Sequence, residues 1–128
     1  VTASTVVGSP DAIDKLTITI DGEQQHVIEG TVHADGMPRI TNIDGRGFDM
    51  VPSGHMIALF NNDTPGMVGK VGSVLGESSV NIDEMVIGHG DNDGLAMMVI
   101  KLGTPATGDL LASLAAIDGI SKVASTEI

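Results

Sequence analysis

Cysteine, tryptophan and tyrosine are missing from this chain, phenylalanine occurs twice, and positive charge is scarce. Without thiols there is no disulfide framework and no thiolate to act as nucleophile or metal ligand. With aromatics at 2%, the core has to be aliphatic, drawn from Val, Ile, Leu and seven Met, and the stacking platforms that hold nucleic-acid bases are absent. Six Lys and Arg against seventeen Asp and Glu give a formal charge of -11, which repels phosphate backbones and anionic membrane surfaces. No apolar run approaches the ~20 residues of a membrane-crossing helix, and no basic segment followed by an apolar one opens the chain. The expectation is a cytoplasmic protein that binds neither nucleic acid nor membrane. The start at Val1, not Met, points to a fragment or a trimmed chain.

What is there suffices for a core: 41% of the 128 residues are hydrophobic, enough for one ordinary domain or two small ones. Val1 to Asp14 has turn formers and no clear period, so it reads as an irregular segment with a short extended piece at Thr5 to Val7. Leu16, Ile18 and Ile20 alternate with threonines, the period of a half-buried strand. Asp-Gly pairs at Asp21-Gly22, Asp35-Gly36 and Asp44-Gly45 then separate apolar runs, a hairpin signal because such turns need positive φ. The result is a small antiparallel β-meander, residues 1–53. Pro52-Ser53-Gly54 marks a boundary.

Beyond it, residues 54–128 read as βαββαβ, a ferredoxin-like α+β arrangement with two helices on one face of an antiparallel sheet. Strands are expected at His55 to Asn61, Asn81 to Gly88, Gly94 to Leu102 and Ile120 to Ile128, with a bulge near Asp83-Glu84 and a polar hairpin loop from Gly88 to Gly94. Leu110, Leu111, Leu114 and Ile117 at helical spacing, closed by Gly119, describe the second helix. The run Leu95 to Ile100 is apolar throughout, so both its faces should be covered. If helices cover one face, self-association is expected to cover the other.

The organising stretch is Asn61 to Asn81. Thr64 fits an N-cap and Pro65 the first helical position, and Met67, Val68, Val71, Val74 and Leu75 form one apolar stripe. Gly66, Gly69, Gly72 and Gly76 form a second stripe, although each interior glycine destabilises a helix by about 0.5–1 kcal/mol. A flat surface open to close approach would explain them. Asp63 before the helix and Asn81 after it bracket the first-turn N–H groups. Those groups favour a carboxylate, while the oxygens of Asn61, Asp63 and Asn81 suit an ammonium group, so the bracket fits a zwitterion.

Asp63-Thr64-Pro65-Gly66 leading into a helix, followed by Val80-Asn81-Ile82, resembles the signature of ACT domains, small ligand-sensing modules of amino-acid metabolism. Upstream, Glu29-Gly30-Thr31-Val32, Gly36-Met37-Pro38-Arg39-Ile40, Ile43-Asp44-Gly45, Phe48-Asp49 and the Pro52 to Met56 segment follow in order. That series resembles the C-terminal regulatory region of the D-3-phosphoglycerate dehydrogenase family, a partial intervening domain followed by an ACT domain. The resemblance implies an effector, L-serine, bound where copies of a homo-oligomer meet, at Asn61, Asp63, Gly66, Met67 and Asn81. It implies that NAD and the catalytic residues belong to the rest of an oxidoreductase, leaving this fragment non-catalytic and without cofactor. Two alternatives keep the fold: a ligand-free ACT assembly module, or the regulatory region of an iron–sulfur L-serine dehydratase.

Other constellations point to less. Asp91-Asn92-Asp93-Gly94 lacks the spaced ligands of a calcium loop, and His26, His33, His55 and His89 lack metal-ligand spacing, so no metal site is expected. The glycines do not follow a phosphate-loop order. Arg39 and Arg46 flank the meander hairpin and form a candidate anion site.

Overall fold

The computed structural model describes residues 2–6, 15–20, 26–32, 34–90 and 94–128; the expected turn at Asp21-Gly22, His33 and Asp91-Asn92-Asp93 lie outside them. The chain divides into two compact units, Val1–Pro52 and Ser53–Ile128.

In the first unit, β1 (Thr2–Val6), β2 (Lys15–Ile20), β3 (His26–Val32), β4 (Pro38–Ile43) and β5 (Arg46–Met50) form an antiparallel sheet in chain order, a meander. The segment expected to be irregular supplies β1, which pairs with β2 from Thr2↔Thr19 to Val6↔Lys15. Its threonines and valine are β-branched, and that preference outweighs the missing alternation. The Asp44-Gly45 turn has the positive φ expected of it, 50° and 82°. Asp44 is more than a turn former. Its Oδ1 accepts from Val27 N at 2.7 Å, its Oδ2 meets His26 Nδ1 at 2.7 Å, and its own N–H donates to Val27 O at 2.8 Å. One residue in the left-handed region thereby ties the β4–β5 hairpin to the start of β3.

In the second unit, β6 (His55–Asn62), α1 (Met67–Glu77), β7 (Ile82–His89), β8 (Leu95–Leu102), α2 (Gly108–Ala115) and β9 (Ile120–Glu127) follow one another, and the sheet order is β7-β8-β6-β9 with antiparallel pairing throughout. This is the ferredoxin-like α+β fold. Ile57 and Leu59 of β6 and Met98, Ile100 and Leu102 of β8 meet Met67, Val71 and Leu75 of α1 and Leu110 and Leu114 of α2 in one core. Each such side chain taken from water contributes about 1.5–3 kcal/mol, the reason both amphipathic helices lie on this face. On the other face Met56, Met97 and Val99 are buried as well. The outer strands of this sheet are β7 and β9.

Local details place the later features. The register of β7 on β8 shifts between Ile82 and Glu84, the bulge expected there. β7 runs on to His89, which the sequence places in the hairpin loop. α2 is capped by Thr107, whose side chain accepts from Leu110 N at 3.1 Å, and Gly119 beyond it has φ 98°. Among the described residues no helix is long and apolar enough to cross a membrane.

Candidate functional site

The antiparallel ladders bring four chain segments to one end of the second sheet. Asn62 at the end of β6 pairs with Leu95 at the start of β8, and His89 at the end of β7 pairs with Ala96. Asn62 N donates to Gly119 O at 2.7 Å and Asp63 N to Gly94 O at 2.9 Å, which pins the turn between β6 and α1. The helix does not begin at Thr64 and Pro65 as the sequence suggests. Gly66 is the N-cap, with φ 89° and no side-chain cap bond, and Met67 is the first helical residue. A left-handed residue cannot continue a helix backwards, so Thr64 and Pro65 are left in the turn.

Between the turn, the first turn of α1 and the ends of β7 and β8 lies a cavity of about 190 Å³, lined by Asn61, Asp63, Thr64, Pro65, Gly66, Met67, Val68, Ile87, His89, Ala96 and Met98. Four of the five candidate effector residues are among them. Volumes of roughly 300–1,000 Å³ hold drug-sized ligands, so this space suits a molecule of a few heavy atoms.

Its polar groups are of two kinds. On the helix side, the N–H groups of Met67, Val68 and Gly69 have no acceptor within α1, whose first intrahelical bond runs from Lys70 N to Gly66 O, and no acidic side chain stands in the first turn. That end of the helix carries partial positive charge. On the turn side are oxygens. Asn61 is 2% exposed; its Nδ2 donates to Asn62 O at 2.8 Å, which fixes the amide, and its Oδ1 is buried without a partner. Asp63 is half exposed and its Oδ2 lies 3.0 Å from His89 Nδ1. Val68, Ile87, Ala96 and Met98 supply apolar wall.

Asn81 is elsewhere. It precedes β7 at the opposite end of the sheet, where its backbone oxygen accepts from Gly103 N at 3.3 Å and its Nδ2 donates to Asp83 Oδ1 at 3.4 Å. Seven residue steps along β7 separate its neighbour Ile82 from His89, roughly 23 Å at about 3.3 Å per residue. Within one copy Asn81 and Asp63 do not share a site.

The glycine face of α1 is open: a Cβ added at Gly66, Gly69, Gly72 or Gly76 would meet nothing within 4 Å. In the first unit, Arg39 Nη1 pairs with Asp49 Oδ1 at 2.9 Å on the exposed side of β5. Arg46 is buried on the other side with Phe48 and Met50 and donates to Asp44 O at 3.2 Å. The two guanidinium groups are not brought together. No group of three His, Cys, Asp or Glu that could hold a metal ion occurs among the described residues.

The cavity also contains His89, Ile87, Ala96 and Met98, which the sequence does not single out. The faint signal is alternation: Ile87 and His89 sit on one face of β7, opposite Met98 and Ala96 of β8.

No protein-family model matches the chain. Among curated proteins it is similar to D-3-phosphoglycerate dehydrogenase of Synechocystis sp., 33% identical over 75% of this chain and 17% of that protein. The enzyme of the same name from Archaeoglobus fulgidus is 34% identical over 70% of this chain and 18% of its own length. The chain thus spans less than one fifth of these relatives. Among solved structures, the ACT domain from GTP pyrophosphokinase of Chlorobium tepidum covers 58% of this chain and 97% of its own, with 19% identity and a TM-score of 0.46.

Proposed function

This chain is a homologue of the C-terminal part of D-3-phosphoglycerate dehydrogenase, and from that premise we propose that its ferredoxin-like unit is an ACT-type sensor that binds a small amino acid, L-serine by resemblance, where two copies meet. The observation that carries this reading is the pairing of opposite polarities across one small cavity. Unpaired helix N–H groups on one wall suit an α-carboxylate, and Asn61 and Asp63 on the other suit an α-ammonium group.

The second copy enters through topology. β7 is an outer strand with an unpaired edge, and a two-fold axis through that edge would pair it with its own copy antiparallel. Antiparallel pairing lays the Ile82 end of one β7 beside the His89 end of the other, so Asn81 of one copy approaches Asp63 of its partner. The open glycine face of α1 lets the second backbone come close. A ligand held in this way alters the parent only by binding one arrangement of the assembly more tightly than another. The NAD site and the oxidoreductase chemistry belong to the remainder of that parent, and this fragment regulates without catalysing.

Calorimetric titration of the 128-residue chain with L-serine and other amino acids tests the reading. Saturable heat is expected with at least one of them. Asp63→Ala should weaken that binding at least about tenfold, the scale of a lost charge-assisted hydrogen bond, while self-association persists. Association without heat from any amino acid would leave the open edge and the glycine face as an assembly device alone.

A further inference from the structure

We propose that His89 is a positioning residue of this site, holding the Asp63 carboxylate where it selects an ammonium group over a neutral hydroxyl; the inference rests on the amino-acid reading above. Asp63 lies in the turn between β6 and α1, outside regular structure, and its side chain is half exposed. A carboxylate so placed is free to rotate unless something holds it. His89 does so from an element of different rigidity: it ends a strand laddered to β8, His89↔Ala96, and reaches Asp63 across 26 residues of sequence.

The geometry fixes the division of labour. With Nδ1–H donating to Oδ2 at 3.0 Å, one carboxylate oxygen is engaged and the other remains as an acceptor beside the cavity that both residues line. A histidine donating from Nδ1 engages one carboxylate oxygen and leaves the other open to the ligand's cation. An oriented anion distinguishes –NH3+ from –OH by charge, which a freely rotating, hydrated one does poorly. The exposed His89–Asp63 pair adds little to folding, so its loss should register in binding and selectivity, not in stability.

The test is titration of the 128-residue chain with L-serine and with L-glycerate, in which a hydroxyl replaces the ammonium group. The unaltered chain should bind L-serine and prefer it. His89→Ala should weaken L-serine about tenfold, leave L-glycerate nearly unchanged and so shrink the preference, with the thermal midpoint unmoved. His89→Asn, whose amide N–H falls near the position of Nδ1, should restore most of the difference; His89→Gln, which displaces that donor, should not, and serves as the loss variant should the alanine chain fail to fold. Unchanged selectivity in His89→Ala or His89→Gln, or a loss that His89→Asn fails to rescue, overturns the role of His89 and leaves the amino-acid reading standing. An unaltered chain that binds no amino acid overturns both.

Discussion

At Asn61 a single side chain carries an acceptor that its own fold leaves unsatisfied. A buried oxygen without a partner costs about 1–3 kcal/mol, and Asn61 Oδ1 is in that state while Nδ2 is held by Asn62 O. A fold shaped by stability alone would place an apolar residue there. Asn61→Leu, close in shape, should leave the urea midpoint of the chain unchanged or raise it, because the Asn62 carbonyl keeps a second donor, Thr64 N at 2.8 Å. The same change should weaken amino-acid binding at least about tenfold; a variant that melts early and binds normally would make Asn61 a structural residue. Asn61 and Asp63 were legible in the sequence because oxygen-bearing side chains beside a helix start have a recognisable chemistry. His89 was not, since its meaning lies in a partner 26 residues away that only the sheet register brings near.

For α1 the apolar stripe was readable and the helix start was not. Met67, Val71 and Leu75 are buried as the spacing requires, whereas Val68, counted in the same stripe, is 46% exposed. Thr64 and Pro65 carry the chemistry of a cap, but Gly66 takes φ 89° and resets the start by direct backbone geometry. This separates the glycines of the helix into two kinds. Gly66→Ala should destabilise the unit by about 1–2 kcal/mol, since a side chain in the left-handed region is strained whatever the space around it. Gly72→Ala, in the helix interior with nothing within 4 Å of the added Cβ, should stabilise the isolated chain by about 0.5–1 kcal/mol. Denaturation at low protein concentration measures both. If the glycine face serves close approach of a second copy, Gly72→Ala should also weaken association in sedimentation; stabilisation with association unchanged would detach the glycines from assembly.

Across the whole molecule, alternation and turn chemistry sufficed for βαββαβ and for the later strands of the meander, though not for β1, because most strands' neighbours in space are set by local periods and right-sized connections. They did not suffice for the site, since nothing local says at which end of a strand a residue will lie. Asn81 and Asp63 read as a bracket around one helix, yet the helix returns the chain to the far end of the sheet, and β7 must run its full length before it reaches the cavity at His89. If two copies pair along β7, each site takes Asp63 from one and Asn81 from the other. That arrangement has a consequence no single-copy site shares. Asp63→Ala and Asn81→Ala chains should each bind amino acid poorly, but mixing them creates mixed dimers with one undamaged site and one doubly damaged site. After random exchange, roughly one site in four should regain full affinity, visible in calorimetry as a high-affinity phase absent from either variant alone. A mixture that titrates as the plain sum of its parts, under conditions where labelled copies demonstrably exchange, would place the whole site within one chain and leave Asn81 out of it.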